Sequence, residues 1–169
     1  MSSVHPCPVP PGAALQAYAI SGTFTDCYSV TIPGSITQTE FIAAFYTTVV
    51  FKLERFLLAT LASRPSTDSD AADLASGRSD RFAVWSVEHR SVGEILLAAG
   101  PTRSWLMATP NAGRVPLETT LYFGSAVVPT GTGRNGQPTM GWPFHALLGF
   151  HKLYSRTLLC AAARKLRRP

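Results

Sequence analysis

Little in this chain marks a membrane, a metal or a cofactor. Its apolar stretches are broken by charge, as in Val49 to Ala62, which contains Lys52, Glu54 and Arg55. No run reaches the ~18–20 residues that cross a bilayer, so no membrane span is expected. The N-terminus has neither a basic n-region nor a continuous apolar h-region, which argues against a secretory signal. Cysteine is scarce: Cys7, Cys27 and Cys160 form an odd, scattered set with no CxxC. That usage excludes a disulfide framework and suits reduced thiols in a cytoplasmic protein. His145 and His151 would diverge by about 120° on a helix, and His89 has Glu88 beside it but no second histidine at i+4, so no metal is expected. There is no GxSxG elbow and no Walker lysine pattern. Gly131-Thr132-Gly133-Arg134-Asn135-Gly136 matches GxGxxG in letters. However, Pro138 follows and no βαβ unit surrounds it, so it reads as a mobile flap and no cofactor is expected.

What is present suits one globular domain. The chain has 169 residues, 46% of them hydrophobic and 15% charged, and a domain of about this size buries roughly 70% of its unfolded surface. The net charge of +5 is concentrated at one end. Arg164, Lys165, Arg167 and Arg168 supply most of it and leave the body about +1. A basic end on a helix complements the negative C-terminal dipole, so no specific nucleic-acid partner is implied.

Residues 1–23 carry Pro6, Pro8, Pro10, Pro11 and Gly12 without a sustained period, which predicts a flexible arm with few fixed contacts. Tyr28, Val30 and Ile32 alternate as in a strand, ended by Pro33-Gly34. Thr37-Gln38-Thr39-Glu40 is a capping-box pattern, opening a helix through Phe41, Ile42, Phe45 and Tyr46. Thr47-Thr48 is a second start signal, for a helix over Val50–Ala62 that Arg64-Pro65 stops. Ser66-Thr67-Asp68 offers a third N-cap, for a short polar helix closed by Gly77. The period then changes to strands over Phe82–Glu88, Glu94–Ala99, Arg103–Thr109 and Glu118–Val128, with His89–Gly93 as a loop. Short consecutive strands joined by small turns imply an antiparallel meander. Last comes a long helix from Phe144 to Leu166. Its apolar stripe of Phe144, Leu147, Leu148, Tyr154, Leu158, Ala162 and Leu166 has His151 and Ser155 at its centre, with Lys152, Arg156 and Arg167 on the other side. The predicted class is α+β: a curved antiparallel sheet packed on a long C-terminal helix, with two or three short helices after the first strand. Residues 24–169 would form that single domain.

This order resembles the helix-grip fold of the START and polyketide-cyclase (SRPBCC) superfamily. There a curved antiparallel sheet wraps a long C-terminal helix around an internal cavity. Four strings are similar to a family of small bacterial domains of unknown function, itself distantly similar to that superfamily: Phe45-Tyr46-Thr47-Thr48, Thr102-Arg103-Ser104-Trp105-Leu106, Leu121-Tyr122-Phe123-Gly124-Ser125-Ala126, and Leu148-Gly149-Phe150-His151-Lys152-Leu153-Tyr154-Ser155. The resemblance covers roughly Phe24 to Leu166 and implies a cavity between sheet and helix. The superfamily often has more strands than the five clear ones here. A shared fold does not license a function.

His151 and Ser155 stand first among candidate site residues, because a buried polar group left unpaired costs about 1–3 kcal/mol. They either bond to the sheet or look into a cavity. Arg103 and Trp105 share a strand face with Met107. If that face is inward, Arg103 seeks a carboxylate from Glu88, Glu118 or a ligand acid; if outward, it is a surface arginine. Trp85 and Tyr122 would add an aromatic wall. Three functions are open. The first is a binder of a small hydrophobic ligand held by Arg103, Trp105, Tyr122, His151, Ser155 and Trp85. The second is a cyclase, dehydratase or isomerase using His151 as base, with Arg103 or Tyr122 stabilising an oxyanion. The third is a non-catalytic structural or interaction domain with a filled core, forming a homodimer through the sheet edge.

Overall fold

Two early helices start where a threonine and an acid three residues later exchange hydrogen bonds. The Glu40 amide donates to Thr37 Oγ1 at 3.2 Å, and the Thr37 amide donates to the Glu40 carboxylate at 2.8 Å. Thr67 and Asp70 repeat the arrangement at 3.2 and 2.7 Å. Each cap satisfies amides that the helix itself leaves unpaired and contributes about 1 kcal/mol. The computed structural model describes residues 3–52, 66–111, 113, 115–129, 131–132, 138–139 and 142–167, those from 131 to 152 as backbone alone. The expected helix over Val50–Ala62 therefore lies largely outside the described residues. Its first turn is helical, with the Phe51 amide donating to Thr48 Oγ1 at 3.2 Å.

The described elements run in chain order as β1 (His5–Pro6), α1 (Gln16–Ile20), β2 (Phe24–Pro33), α2 (Gln38–Tyr46), α3 (Asp68–Ser76), β3 (Arg81–Phe82), β4 (Trp85–Arg90), β5 (Glu94–Ala99), β6 (Thr102–Pro110), β7 (Glu118–Val127), β8 (Gly131–Thr132), β9 (Pro138–Thr139) and α4 (Trp142–Leu166). Seven strands form one antiparallel sheet in the order β1-β2-β7-β6-β5-β4-β3, so the class is α+β. The meander β3 to β7 is continuous, and β2 closes onto its last strand with Val30 opposite Leu121. Of the flap expected at 131–136, only Gly131–Thr132 is described; it pairs with β9, and the remainder lies outside the described residues.

The sheet holds two strands more than the sequence pattern marks clearly. The stretch Phe82–Glu88, expected as one strand, is a hairpin: Phe82 pairs with Trp85 across Ala83-Val84. Ala83 has φ 52°. A left-handed conformation costs an L-residue about 1–2 kcal/mol, and no glycine or asparagine announces this turn. His89 and Arg90, expected in a loop, end β4 beyond a bulge between Val87 and His89. The seventh strand is β1, from the N-terminal stretch.

The sheet has a core on each face. On the inner face Val30, Ile32, Ile95, Leu97, Leu106, Leu121 and Phe123 meet Phe41, Ile42 and Phe45 of α2, Leu74 of α3, and Leu158, Leu159 and Ala162 of α4. Burial of this apolar surface contributes about 25 cal/mol per Å². The C-terminal helix is thus a cover shared with α2, which packs against both it and β6. On the outer face Leu15, Cys27, Leu96, Trp105 and Ala126 form a second, smaller cluster. It is closed by the segment expected to make few contacts. Leu15 is 0% exposed and sits over Gly124. A Cβ at Gly124 would come within 2.5 Å of Leu15 and 2.9 Å of the Asp26 carbonyl, so only glycine admits this approach. The prolines remove backbone donors, but the segment is held by side-chain packing, by the pairing of β1 with β2, by the Cys7 amide donating to the Cys27 carbonyl at 3.0 Å and by the Ala14 amide donating to Glu94 at 3.0 Å. No helix among the described residues is long and apolar enough to cross a membrane.

Candidate functional site

Strand parity sorts the candidate residues. On β6, Ser104 and Leu106 face inward and Arg103 and Trp105 outward. On β7, Phe123 and Ser125 face inward and Tyr122 outward, with Ser104 opposite Ser125. The inner face borders a partly open cavity of about 300 Å³ lined by Phe45, Phe51, Phe123 and Leu158. Trp85, Ser104, Ser125, Tyr154 and Ser155 supply its polar groups, and Thr102 and Arg103 also border it. Small-molecule pockets have this character, mostly apolar with a few placed polar groups.

Two of those groups are unmatched. Ser155 is 0% exposed, and its hydroxyl has no hydrogen-bond partner among the described residues. The buried indole Nε1 of Trp85 has none either. Gln38 and Arg90 each have one unmatched atom as well. However, Gln38 Nε2 donates to the Leu106 carbonyl at 3.0 Å, and Arg90 Nη1 donates to that of Leu74 at 2.9 Å. Trp85 and Ser155 differ in having no side-chain hydrogen bond among the described residues. Each orphan costs about 1–3 kcal/mol unless something bonds to it. Ser155 therefore borders the cavity and makes no bond to the sheet. His151 lies one turn before it on α4, but its side chain is outside the described residues, so the candidate base is placed only as a helix position.

The outer-face residues have protein partners. Arg103, with 16% of its side chain exposed, faces away from the inner core and still finds the carboxylate it needs, Glu88 at 2.6 Å. Its Nε also donates to the Tyr18 hydroxyl at 2.8 Å and its Nη1 to the Gly100 carbonyl at 2.8 Å. The guanidinium stacks over the Tyr18 ring at 5.3 Å. Tyr18 in turn donates to Glu88. Trp105 Nε1 donates to Glu94 at 2.6 Å, and the ring lies 6.2 Å from Tyr122. Burial raises the Tyr122 phenol above its usual range, with Cys7 and Cys27 adding to it. The structure thus brings Trp85 and Ser155 to the cavity and places Trp105 and Tyr122 on the opposite face. Arg103 borders the cavity but directs its guanidinium to Tyr18 and Glu88.

Three polar residues near the cavity were missed in the sequence. Ser104 and Ser125 occupy inward positions in otherwise apolar alternations, Ser104-Leu106-Ala108 and Leu121-Phe123-Ser125, and that interruption is a legible signal. Asp26 is less legible: its carboxylate accepts from the Ser125 hydroxyl at 2.6 Å and from the Ser125 amide at 3.2 Å, a contact made only when β2 joins β7. Compared with models of protein families, with curated proteins and with solved structures, the chain has no match. Geometry alone therefore carries the functional argument.

Proposed function

We propose that the protein binds a small, largely apolar molecule in the cavity between the sheet and the C-terminal helix. The supporting observation is that two buried groups of residues lining one mostly apolar cavity, Trp85 Nε1 and Ser155 Oγ, have no hydrogen-bond partner among the described residues. An indole N–H can only donate, whereas a hydroxyl can donate or accept. The ligand class that suits both carries a carbonyl or ether oxygen on a hydrocarbon or aromatic body. The same reading keeps the resemblance to the helix-grip superfamily as a proposal: a sheet and a last helix enclosing a binding space.

Titration of the full chain with a small aryl ketone such as acetophenone, followed by NMR, tests this. The Trp85 indole N–H resonance shifts and the Trp105 resonance does not. Ser155→Ala weakens binding by roughly tenfold if it removes a hydrogen bond worth about 1.4 kcal/mol. Native mass spectrometry of protein purified from its host shows a retained small molecule. Equal shifts at both indoles, or no shift with no retained molecule, would refute the reading.

A further inference from the structure

We infer that Cys7 and Cys27 are a redox-active dithiol that reacts with small-molecule disulfides and closes into a cross-strand disulfide between the N-terminal segment and the sheet. The register places them together. His5 lies opposite Ser29 and Pro6 opposite Tyr28, so the next position in the ladder sets Cys7 against Cys27. The Cys7 amide donates to the Cys27 carbonyl at 3.0 Å, and the two sulfurs are 3.4 Å apart. Directly opposed residues of an antiparallel pair have Cα atoms about 4.5–5.5 Å apart, within the span that a disulfide bridges. All three cysteines of the chain are free thiols in the structure.

The two thiols are not equivalent. Cys7 is partly exposed, whereas Cys27 is 5% exposed beneath the outer-face cluster. An incoming disulfide therefore meets Cys7 first. The sulfur–sulfur hydrogen bond with Cys27 holds Cys7 down at about 6, against partial burial and with help from Ser29 and His5. The same contact, with burial, pushes Cys27 up. The pair therefore divides into an attacking and a resolving sulfur.

The exchange balances with a disulfide R–S–S–R as the oxidant. The Cys7 thiolate attacks one sulfur, the R–S–S–R bond breaks, and RS⁻ leaves and takes a proton from solvent. Cys27 then gives its proton to solvent and attacks Cys7 Sγ. The Cys7–Cys27 bond forms and the second RS⁻ leaves. The protein loses two electrons and the disulfide is reduced to two thiols. The product staples β1 to β2 beside the segment that covers the outer face.

The test uses the full reduced chain incubated with glutathione disulfide, quenched in acid, alkylated and cut with chymotrypsin. No lysine or arginine precedes Lys52, so trypsin would leave both cysteines in one peptide, while Tyr18 and Phe24 lie between them. The expected result is that Cys7 and Cys27 disappear together into one linked species, severalfold faster than Cys160 is modified. Cys27→Ser stops at a stable glutathione adduct on Cys7. Cys7→Ser leaves Cys27 reduced over the time in which the native pair closes. The inference is overturned if glutathione stays on Cys7 of the native chain without a Cys7–Cys27 link, or if the pair oxidises no faster than Cys160.

Discussion

The two faces of the sheet solve the same problem in opposite ways. On the outer face the polar groups that burial brings in are matched with one another: Trp105 with Glu94, and Arg103 with Glu88 and Tyr18. Glu94 accepts from the N-terminal segment as well, so the cluster also holds its own cover. On the inner face a larger aromatic core leaves a cavity, and two side-chain groups of residues lining it, Trp85 Nε1 and Ser155 Oγ, have no hydrogen-bond partner among the described residues. Satisfied polar networks rigidify a packed region, whereas a buried polar group without a partner stays available to bond a ligand. The difference directs the binding proposal to the inner face, although the richer polar inventory is on the outer one.

Breaking the outer face should have the largest effect. Trp105→Ala removes a fully buried indole and leaves the Glu94 carboxylate short of a donor; a loss of about 3–5 kcal/mol is expected in urea unfolding. Early proteolytic release of the N-terminal segment would accompany it. An unchanged midpoint would show that the outer cluster adds no stability. Gly124→Ala should cost roughly 1–3 kcal/mol, because its Cβ meets backbone at 2.9 Å as well as the flexible Leu15 side chain. That substitution should loosen the outer cover while leaving ketone binding on the inner face intact.

On the inner face the sign should reverse. Ser155→Ala removes an unmatched hydroxyl, so the ligand-free protein should gain about 1 kcal/mol even as it binds more weakly. A loss of stability instead would mean that the hydroxyl has a structural partner. The smallest effect is at high pH. Burial, and then the bond to Glu88, raise Tyr18 above its usual 10.0. An acid whose folded value is raised contributes stability that is complete below the unfolded value and is lost as pH rises through the folded one. Alkaline melting curves should therefore fall above pH 10, and Tyr18→Phe should reduce that fall.

The caps and turns were legible because they are local. Thr37 with Glu40, and Thr67 before Asp68, carry the chemistry of a helix start within four residues, and Gly77 ends α3 in the left-handed conformation that favours glycine. The hairpin at Ala83 was not legible, since its turn has no preferred turn residue and is held by the pairing of β3 with β4. The N-terminal segment was misjudged for a related reason. Its prolines report missing backbone bonds truthfully, but Leu15 is held by packing over Gly124, which no local pattern near Leu15 encodes.

Period-two alternation shows that Arg103 and Trp105 share a face, because successive strand side chains point to opposite sides whatever the fold. It cannot say which face meets the long helix, since that depends on how the whole sheet curls and on what covers its back. The sequence by itself determined the helix starts, the antiparallel run of strands and the polar interruption at Ser155. All of these follow from interactions within a few residues or from side-chain period. Only the tertiary structure decided that Ser155 and Trp85 border one cavity, that Arg103 finds Glu88, and that Cys7 meets Cys27. Those contacts join residues far apart in the chain, and their closeness is set by strand register and by burial on one face or the other.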